Sequence, residues 1–188
     1  ELFIMELVEG THYATGNPSS VPTTFRFHAG TNMNTNSNII WLGDTYQKFP
    51  IVAEGFAFEG KGQIPRPTLT MSNLGGISRS GVAITVTDLI LIVNLTTPHN
   101  DLINAKITRL QVLASSLDAA NFPNNTNPFG TPNSNELPRE VFFIDRKQTE
   151  SRNIVQFELV SRLDQQNKRL PKRQVTRAEF PSVGGFIN

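Results

Sequence analysis

The middle of the chain carries the clearest alternation of hydrophobic and polar positions. Apolar side chains alternate with polar or small ones over residues 52–59, and a second alternation covers residues 68–73. A period of two is typical of a strand with one buried face. Residues 60–62 (Gly-Lys-Gly) separate the two runs, and glycine readily adopts the positive φ of a tight turn. The pattern therefore predicts a β-hairpin over residues 52–73.

Weaker versions of the same pattern predict further strands on both sides of this hairpin. The N-terminal residues are almost continuously apolar, and the later segments alternate between apolar and polar positions. Stretches rich in Asn, Pro, Gly and Ser separate these runs and predict loops. The predicted strands cover residues 1–7, 25–27, 105–113, 140–148 and 153–161, and the longest predicted loops cover residues 32–38 and 122–138.

Residues 77–93 fit two descriptions. Val86, Leu89 and Ile90 could belong to the apolar stripe of a helix, whereas the many β-branched side chains favour strands. We favour a helix, because the sheet needs an element to cover it. The expected fold is therefore mainly β, a β-barrel or sandwich with one or two short helices and long loops.

The segment before the second strand of the hairpin contains two prolines. Pro65 and Pro67 fix φ and remove two backbone donors, and they favour extended conformations at Ile64 and Arg66. Proline occurs at sheet edges rather than in the middle of central strands. We therefore expect this segment to run along an edge or out of the body, with the Arg66 side chain presented outward.

Charge does not identify a partner for the chain as a whole. The formal net charge is +1 and 18% of the residues are charged, which gives no general attraction to nucleic acid or to an acidic membrane. No apolar run approaches the ~20 residues of a membrane span, so we expect a soluble protein. Residues 168–177 hold five of the seventeen Lys and Arg residues. This strip could bind nucleic acid, but without interleaved aromatic residues a solvated or subunit-facing strip is the preferred interpretation.

Residue types needed for catalysis or metal binding are missing or scattered. The chain contains no cysteine, which excludes disulfides, thiolate metal sites and iron–sulfur clusters within it. His12, His28 and His99 lie in separate loop-like stretches without metal-ligand spacing, and we expect them at the surface. No G-x-S-x-G nucleophile elbow is present. We therefore expect no cofactor and no enzymatic activity.

Aromatic residues are concentrated around the predicted hairpin. They could stack a sugar or a base, but aromatic side chains at strand spacing more often fill a core. We therefore expect core positions for all five. These residues are Trp41, Tyr46, Phe49, Phe56 and Phe58.

The same central stretch contains an ordered series of motifs. Trp41-x-Gly43-x-x-Tyr46 is followed by Pro50-Ile51, by Gly55-Phe56, by Gly60-Lys61-Gly62, and then by Arg66-Pro67-Thr68-Leu69-Thr70-x-Ser72-Asn73-Leu74. This series resembles the phage minor tail protein L family of lambda-like siphophages. The resemblance is tight over the central part and extends with less similarity over most of the chain.

The resemblance implies an architectural role in a virion, with a tail-tube or hub-like fold. It implies a subunit of the tail tip of a long, non-contractile tail, assembled in the host cytoplasm and set between the distal tail ring and the central hub. By family analogy the subunits form a homo-oligomeric ring, a trimer, around the channel. The implied partners are the distal tail protein, the central hub or host-specificity protein and the tape measure protein. DNA is only passing cargo, and no membrane is involved.

Composition and resemblance together divide the chain into a body and a tail. Residues 1–165 are expected to form a β-rich tail hub domain, and residues 166–188 a basic, extended docking tail. Lambda-type members carry a cysteine-bearing C-terminal region associated with an iron–sulfur cluster. That region is missing here, so either this relative lacks it or the sequence stops before it. The residues expected at a subunit interface are Arg66, Pro67, Lys168, Arg169, Lys172, Arg173 and Phe186, and the loops over residues 32–38 and 122–138 are also expected to reach adjacent subunits.

Two other functions stay open on the sequence alone. A virion-associated β-sandwich that binds a carbohydrate or a receptor would place Trp41 and Tyr46 on an exposed face. A hydrolase that opens the cell wall would depend on a carboxylate such as Glu54 or Glu59.

Overall fold

The computed structural model describes residues 1–15, 23–30, 38–56, 64–79 and 82–165. Over these residues the protein is mainly β, as predicted. The α-helix is α1 (Val86–Thr96), and short 3-10 turns occur at Ala114–Ser116, Ala119–Asn121 and Pro123–Asn125. The strands are β1 (Leu2–Glu6), β2 (Thr24–His28), β3 (Ile39–Trp41), β4 (Asp44–Lys48), β5 (Ile51–Glu54), β6 (Thr68–Ser72), β7 (Ile77–Arg79), β8 (Val82–Ile84), β9 (Lys106–Leu110), β10 (Glu140–Glu150) and β11 (Ile154–Val160).

Nine of these strands form one sheet, and its second strand continues directly into its last strand. The strand order is β3-β4-β2-β1-β9-β10-β11-β6-β5, while β7 and β8 form a separate hairpin. Strands β4 and β5 lie near opposite ends of this order, yet only Phe49 and Pro50 separate them in sequence. The Phe49 N–H donates to the His28 carbonyl at the end of β2 (2.9 Å), and the Ser72 N–H in β6 donates to the Pro50 carbonyl (2.9 Å). The sheet therefore closes into a barrel at this dipeptide.

The barrel interior holds the main hydrophobic core. Strands β1, β2, β5, β6, β9, β10 and β11 all contribute buried side chains to it. In β6 the buried positions alternate with half-buried ones, as the period of two predicts. Phe3 of β1 stacks on Phe27 of β2 with ring centroids 5.8 Å apart, and Phe27 meets Phe49 edge-on. The closing dipeptide is thus anchored in the core by its aromatic residue.

Residues 77–93 form two strands followed by a helix. The expectation of a single helix is wrong for the first half, where β7 pairs with β8, and confirmed for the second half, where α1 begins. A capping box marks the boundary: the Asp88 N–H donates to the Thr85 hydroxyl (3.1 Å), and the Thr85 N–H donates to the Asp88 carboxylate (2.9 Å). Before Thr85 the β-branched residues favour strands, and after it the apolar residues follow a helical period.

Helix α1 packs one face onto the barrel core. Its buried side chains belong to the same cluster as the inward-facing residues of the strands. Within the described ranges, no helix has the length and the apolar content that crossing a membrane would require. The buried residues of α1 are Val86, Leu89, Ile90 and Val93.

A smaller hydrophobic cluster lies outside the barrel. The hairpin of β3 and β4 brings Trp41 together with Leu2 of β1 and Leu110 of β9, whose side chains face away from the interior. The outer edge of β3 is covered by a side chain rather than a strand. Asn121 accepts from the Ile40 N–H (2.7 Å), and its amide group donates to the Ile40 carbonyl (2.5 Å). This pairing protects the edge from association with another strand.

Most of the predicted elements are confirmed. The central hairpin forms between β5 and β6, and the five flanking strands appear as β1, β2, β9, β10 and β11. Residues 122–138 form a loop with one 3-10 turn and an isolated bridge between Val112 and Glu136. The expected turn at residues 60–62 and the loop at residues 32–37 lie outside the described residues.

The aromatic residues occupy core positions wherever the structure describes them. Trp41 is 3% exposed and Tyr46 is 1% exposed, while Phe49 and Phe56 are also buried. Phe56 packs edge-on against Phe142 of β10. The predicted core role is confirmed for these four residues, and Phe58 lies outside the described residues.

Two of the three histidines are buried, contrary to the expectation of surface positions. His12 and His28 are fully buried, whereas His99 is exposed. The His12 Nδ1 accepts from the Val8 N–H (2.8 Å) and its Nε2 donates to the Ile103 carbonyl (2.9 Å). The imidazole is thus neutral and connects the end of β1 to the loop after α1. This contact could not be predicted from the sequence, because Ile103 lies about ninety residues away from His12.

Burial of His12 makes stability depend on pH. Burial lowers the pKa of His12 below its ordinary value of 6.5, although backbone hydrogen bonds oppose the shift. Because the unfolded chain binds this proton more readily, the free energy of unfolding should fall as the pH drops below about 6.5. His12→Gln keeps an acceptor and a donor but cannot titrate in this range. Urea unfolding at pH 7.5 and 5.5 measures the free energy of unfolding. Acidification should lower it more for the native chain than for the variant. Equal decreases would contradict the assignment of His12 as a buried, neutral imidazole.

Candidate functional site

Arg66 lies among acidic side chains of its own chain. Its guanidinium donates to Asp164 through Nε (3.0 Å) and Nη2 (2.7 Å), and to Glu158 through Nη1 (3.1 Å). A third carboxylate, from Asp145, lies 3.7 Å from Nη1. The Arg66 side chain keeps 39% of its surface exposed. Arg66 is therefore tied to the barrel and also accessible from outside.

Glu158 is the buried centre of this cluster. It is 6% exposed, and besides Arg66 it accepts hydrogen bonds from Arg146 Nε (2.8 Å) and Gln148 Nε2 (2.9 Å). The hydrogen bond from Gln148, followed by those from Arg146 and Arg66, lowers the pKa of Glu158, while burial opposes the shift. A buried carboxylate needs such partners, because leaving one unpaired is strongly destabilising. Glu158 thus joins β11 to β10 and to the segment before β6.

The segment that contains Arg66 and Pro67 leads into an internal strand. Pro67 is buried, and its carbonyl accepts from the Leu159 N–H of β11 (2.8 Å). The expectation of an edge position is therefore wrong at Pro67. A proline can stand just before an internal strand, because there it uses only its carbonyl.

Arg66 also fixes the last turn that the structure describes. The Asp164 N–H donates to the Ser161 carbonyl (3.1 Å), and the Asp164 carboxylate accepts twice from Arg66. This clamp holds the turn against the barrel immediately before residues 166–188. The other residues expected at an interface lie outside the described residues: Lys168, Arg169, Lys172, Arg173 and Phe186.

The long loop after β9 is fastened to the outer hairpin. The Asp118 carboxylate accepts from the Leu42 N–H (3.1 Å) and from the Gly43 N–H (2.8 Å), in a turn where both residues have positive φ. The indole N–H of Trp41 donates to the Asn133 carbonyl (3.2 Å). Ordering of this loop thus comes in part from its own chain, whereas its length alone had indicated a neighbouring subunit as the cause.

Helix α1 contributes a surface that the sequence analysis did not identify. Leu91 is 58% exposed and Leu95 is 85% exposed, one helical turn apart on the outer face. We call this pair the leucine ridge. The signal in the sequence was that only one of the eleven helix residues is charged, whereas a surface helix normally has one polar face.

The described residues offer no constellation suited to metal binding. Within these ranges, no group of three His, Asp or Glu side chains could hold a metal ion. Trp41 and Tyr46 are buried and unavailable for stacking a sugar. Among the accessible features of the described body are the Arg66 cluster, the fastened loop and the leucine ridge.

Comparison with known proteins identifies the class to which this arrangement belongs. A family described as phage minor tail protein L matches residues 19–181, which is most of the chain. The chain belongs to the phage minor tail protein L family and is thus a structural protein of the virion tail. Among its relatives, tail tip protein L of Escherichia phage lambda is 33% identical over 101 residues, a match that covers 54% of this chain and 37% of the lambda protein. The match thus spans less than half of that relative.

Removing Arg66 should loosen the clamp without unfolding the barrel. Because Glu158 keeps Arg146 and Gln148, and because Arg66 is partly exposed, we expect Arg66→Ala to lower the free energy of unfolding by about 1 kcal/mol. Arg66→Lys should recover little of this loss, since an ammonium group cannot bond both carboxylates in the same geometry. Chemical denaturation of the three proteins at pH 7 measures these differences.

The effect of Arg66→Ala should also depend on pH. The lowered pKa of Glu158 adds stability above its ordinary value of 4.5, and this contribution is lost as the pH falls through the lower folded value. The difference in the free energy of unfolding between the native chain and Arg66→Ala should therefore become smaller in strong acid. A difference that is zero at pH 7, or that grows in acid, would show that the cluster does not stabilise the fold.

Proposed function

We propose that this chain is a structural component of the tail tip of a long-tailed, non-contractile phage, linking the distal tail ring to the central hub. The family match over residues 19–181 is the main support. The name of the lambda relative, tail tip protein L, refers to the same part of a virion. A barrel closed by its own backbone at Phe49 and Pro50 also suits a building block that keeps its shape while its neighbours pack around it.

The proposed partners follow from this position. They are further copies of the chain in a trimeric ring, the distal tail protein on one side, the central hub or host-specificity protein on the other, and the tape measure protein in the channel. Closed rings of identical subunits need a heterologous interface, in which one surface meets a different surface of the next copy. DNA would pass through the ring as cargo.

Residues 166–188 and the Arg66 cluster are the proposed contact elements. The segment carries five basic side chains and one acidic side chain, and its last nine residues include Phe186. The clamp from Arg66 to Asp164 fixes the position on the barrel after which this segment follows. The exposed part of Arg66 adds a positive charge at the same place. The fixed φ of Pro67 restricts the direction of the backbone next to Arg66.

We propose no enzymatic activity for the chain. The burial of Trp41 and Tyr46 removes the support for the carbohydrate-binding alternative, since both side chains lie in the outer cluster. For the hydrolase alternative, Glu54 is exposed on β5, and Glu59 lies outside the described residues. A neighbouring catalytic partner for Glu54 is not evident in the part of the chain that the structure describes.

Deletion of the gene in the phage tests the proposed role. A structural link in the tail tip is needed before tail polymerisation can be completed, so the deletion should yield heads without tails, and the native gene supplied on a plasmid should restore complete virions. Replacement of Lys168, Arg169, Lys172 and Arg173 by Glu should fail to restore them. Arg152→Glu, which reverses an exposed charge between β10 and β11, is the matched control and should restore tails normally. Electron microscopy counts the particles.

Each alternative gives a different result in this experiment. Complete tails that fail to adsorb to cells would support receptor binding and contradict the structural role. Complete tails that adsorb but release no DNA into the cell would support a cell-wall hydrolase. Restoration of tails by the charge-reversed segment would leave the structural role intact and would contradict residues 168–173 as its interface.

A further inference from the structure

The leucine ridge is unusual for a surface helix. The outer face of α1 carries Leu91 and Leu95, and Asp88 is the helix's one charged residue. Surface helices normally present charged or polar residues on the face away from the core. An apolar strip of this kind, exposed in the described part of the chain, indicates a surface that another segment covers.

The described chain stops close to the end of this helix. The Gln165 side chain donates to Asn104 Oδ1 (3.3 Å) in the loop that follows α1. In the same loop, Asp101 exchanges two hydrogen bonds with Asn94 in the last turn of α1, each 3.0 Å long. Asn104 follows Asp101 by three positions, and three residues span at most about 11 Å. Residues 166–188 therefore follow a residue that is bonded to the loop after α1.

The segment that begins there has the right composition and length to cover the ridge. Its last nine residues include four large apolar side chains, and it carries five basic residues against one acidic residue. The described residues hold eleven Lys and Arg against fourteen Asp and Glu, so the charges of body and segment are opposite in sign. An extended chain of this length reaches roughly 75 Å, several times the ~16 Å length of an eleven-residue helix. The four apolar residues are Phe180, Val183, Phe186 and Ile187.

We propose that, before the protein assembles, the leucine ridge is covered by residues 180–187 of the same chain. Attachment through a short linker gives such a segment an effective local concentration in the millimolar range, so modest contacts suffice to hold it. The contact would keep both the ridge and the docking segment from associating prematurely with other subunits. This inference concerns the unassembled chain and does not depend on the proposed position in the tail.

Disulfide trapping in the purified chain of 188 residues tests the contact. Because the chain has no cysteine, the pair Leu95→Cys and Phe186→Cys introduces the only two thiols. Mild oxidation should give an intramolecular disulfide at least tenfold faster than in a control that pairs Leu113→Cys with Phe186→Cys. Leu113 is a matched position, since it is 66% exposed but follows the far end of β9. Non-reducing electrophoresis and mass spectrometry identify the product.

A second measurement uses the exposed positions without any disulfide. Replacement of Leu91 and Leu95 by Glu should leave the circular dichroism spectrum unchanged, because both side chains are exposed, and should increase trypsin cleavage after Arg177 at least tenfold. Leu113→Glu should leave this rate unchanged. Equal oxidation rates for both thiol pairs, or unaltered cleavage, would overturn the proposal. Disulfides that form only between chains would overturn it in favour of a second copy as the occupant of the ridge.

Discussion

Closure of the barrel at two residues is the constraint on which the rest of the structure depends. The Phe49 N–H bonds to β2 and the Pro50 carbonyl bonds to β6, so a single dipeptide connects strands from opposite halves of the sheet. Proline is acceptable there because its carbonyl makes the required hydrogen bond and no N–H is needed. Phe49 adds an aromatic anchor in the core. Once these ends are joined, the core strands are fixed relative to one another.

A barrel completed within one chain determines where contacts with other proteins can occur. The outer edge of β3 is already occupied by Asn121, and the core is covered by α1. Surfaces that can serve assembly are therefore the additions to the barrel: the clamp around Arg66, the leucine ridge and the segment that follows residue 165. Contact surfaces of this kind agree with the membership of the chain in a tail protein family.

The features that depend on local periodicity could be predicted from the sequence. The central hairpin, the flanking strands and the burial of Trp41 and Tyr46 follow from alternation at a period of two. Contacts between distant residues could not be predicted in this way. Arg66 was expected at a subunit interface, and its contacts with Glu158 and Asp164 of the same chain were not predicted, because these partners lie more than ninety residues further along the chain. For α1, the Thr85 capping box was present in the sequence and would have located the start of the helix.

Cryo-electron microscopy of the intact tail tip, at a resolution that traces the backbone, tests the central claim most directly. The account predicts three barrels in a ring around the channel, each closed on itself at Phe49 and Pro50, with residues 166–188 reaching a neighbouring subunit. Barrels whose sheets are completed by strands from another chain would contradict the closure, and a single peripheral copy on the outside of the tail would contradict the role in the ring.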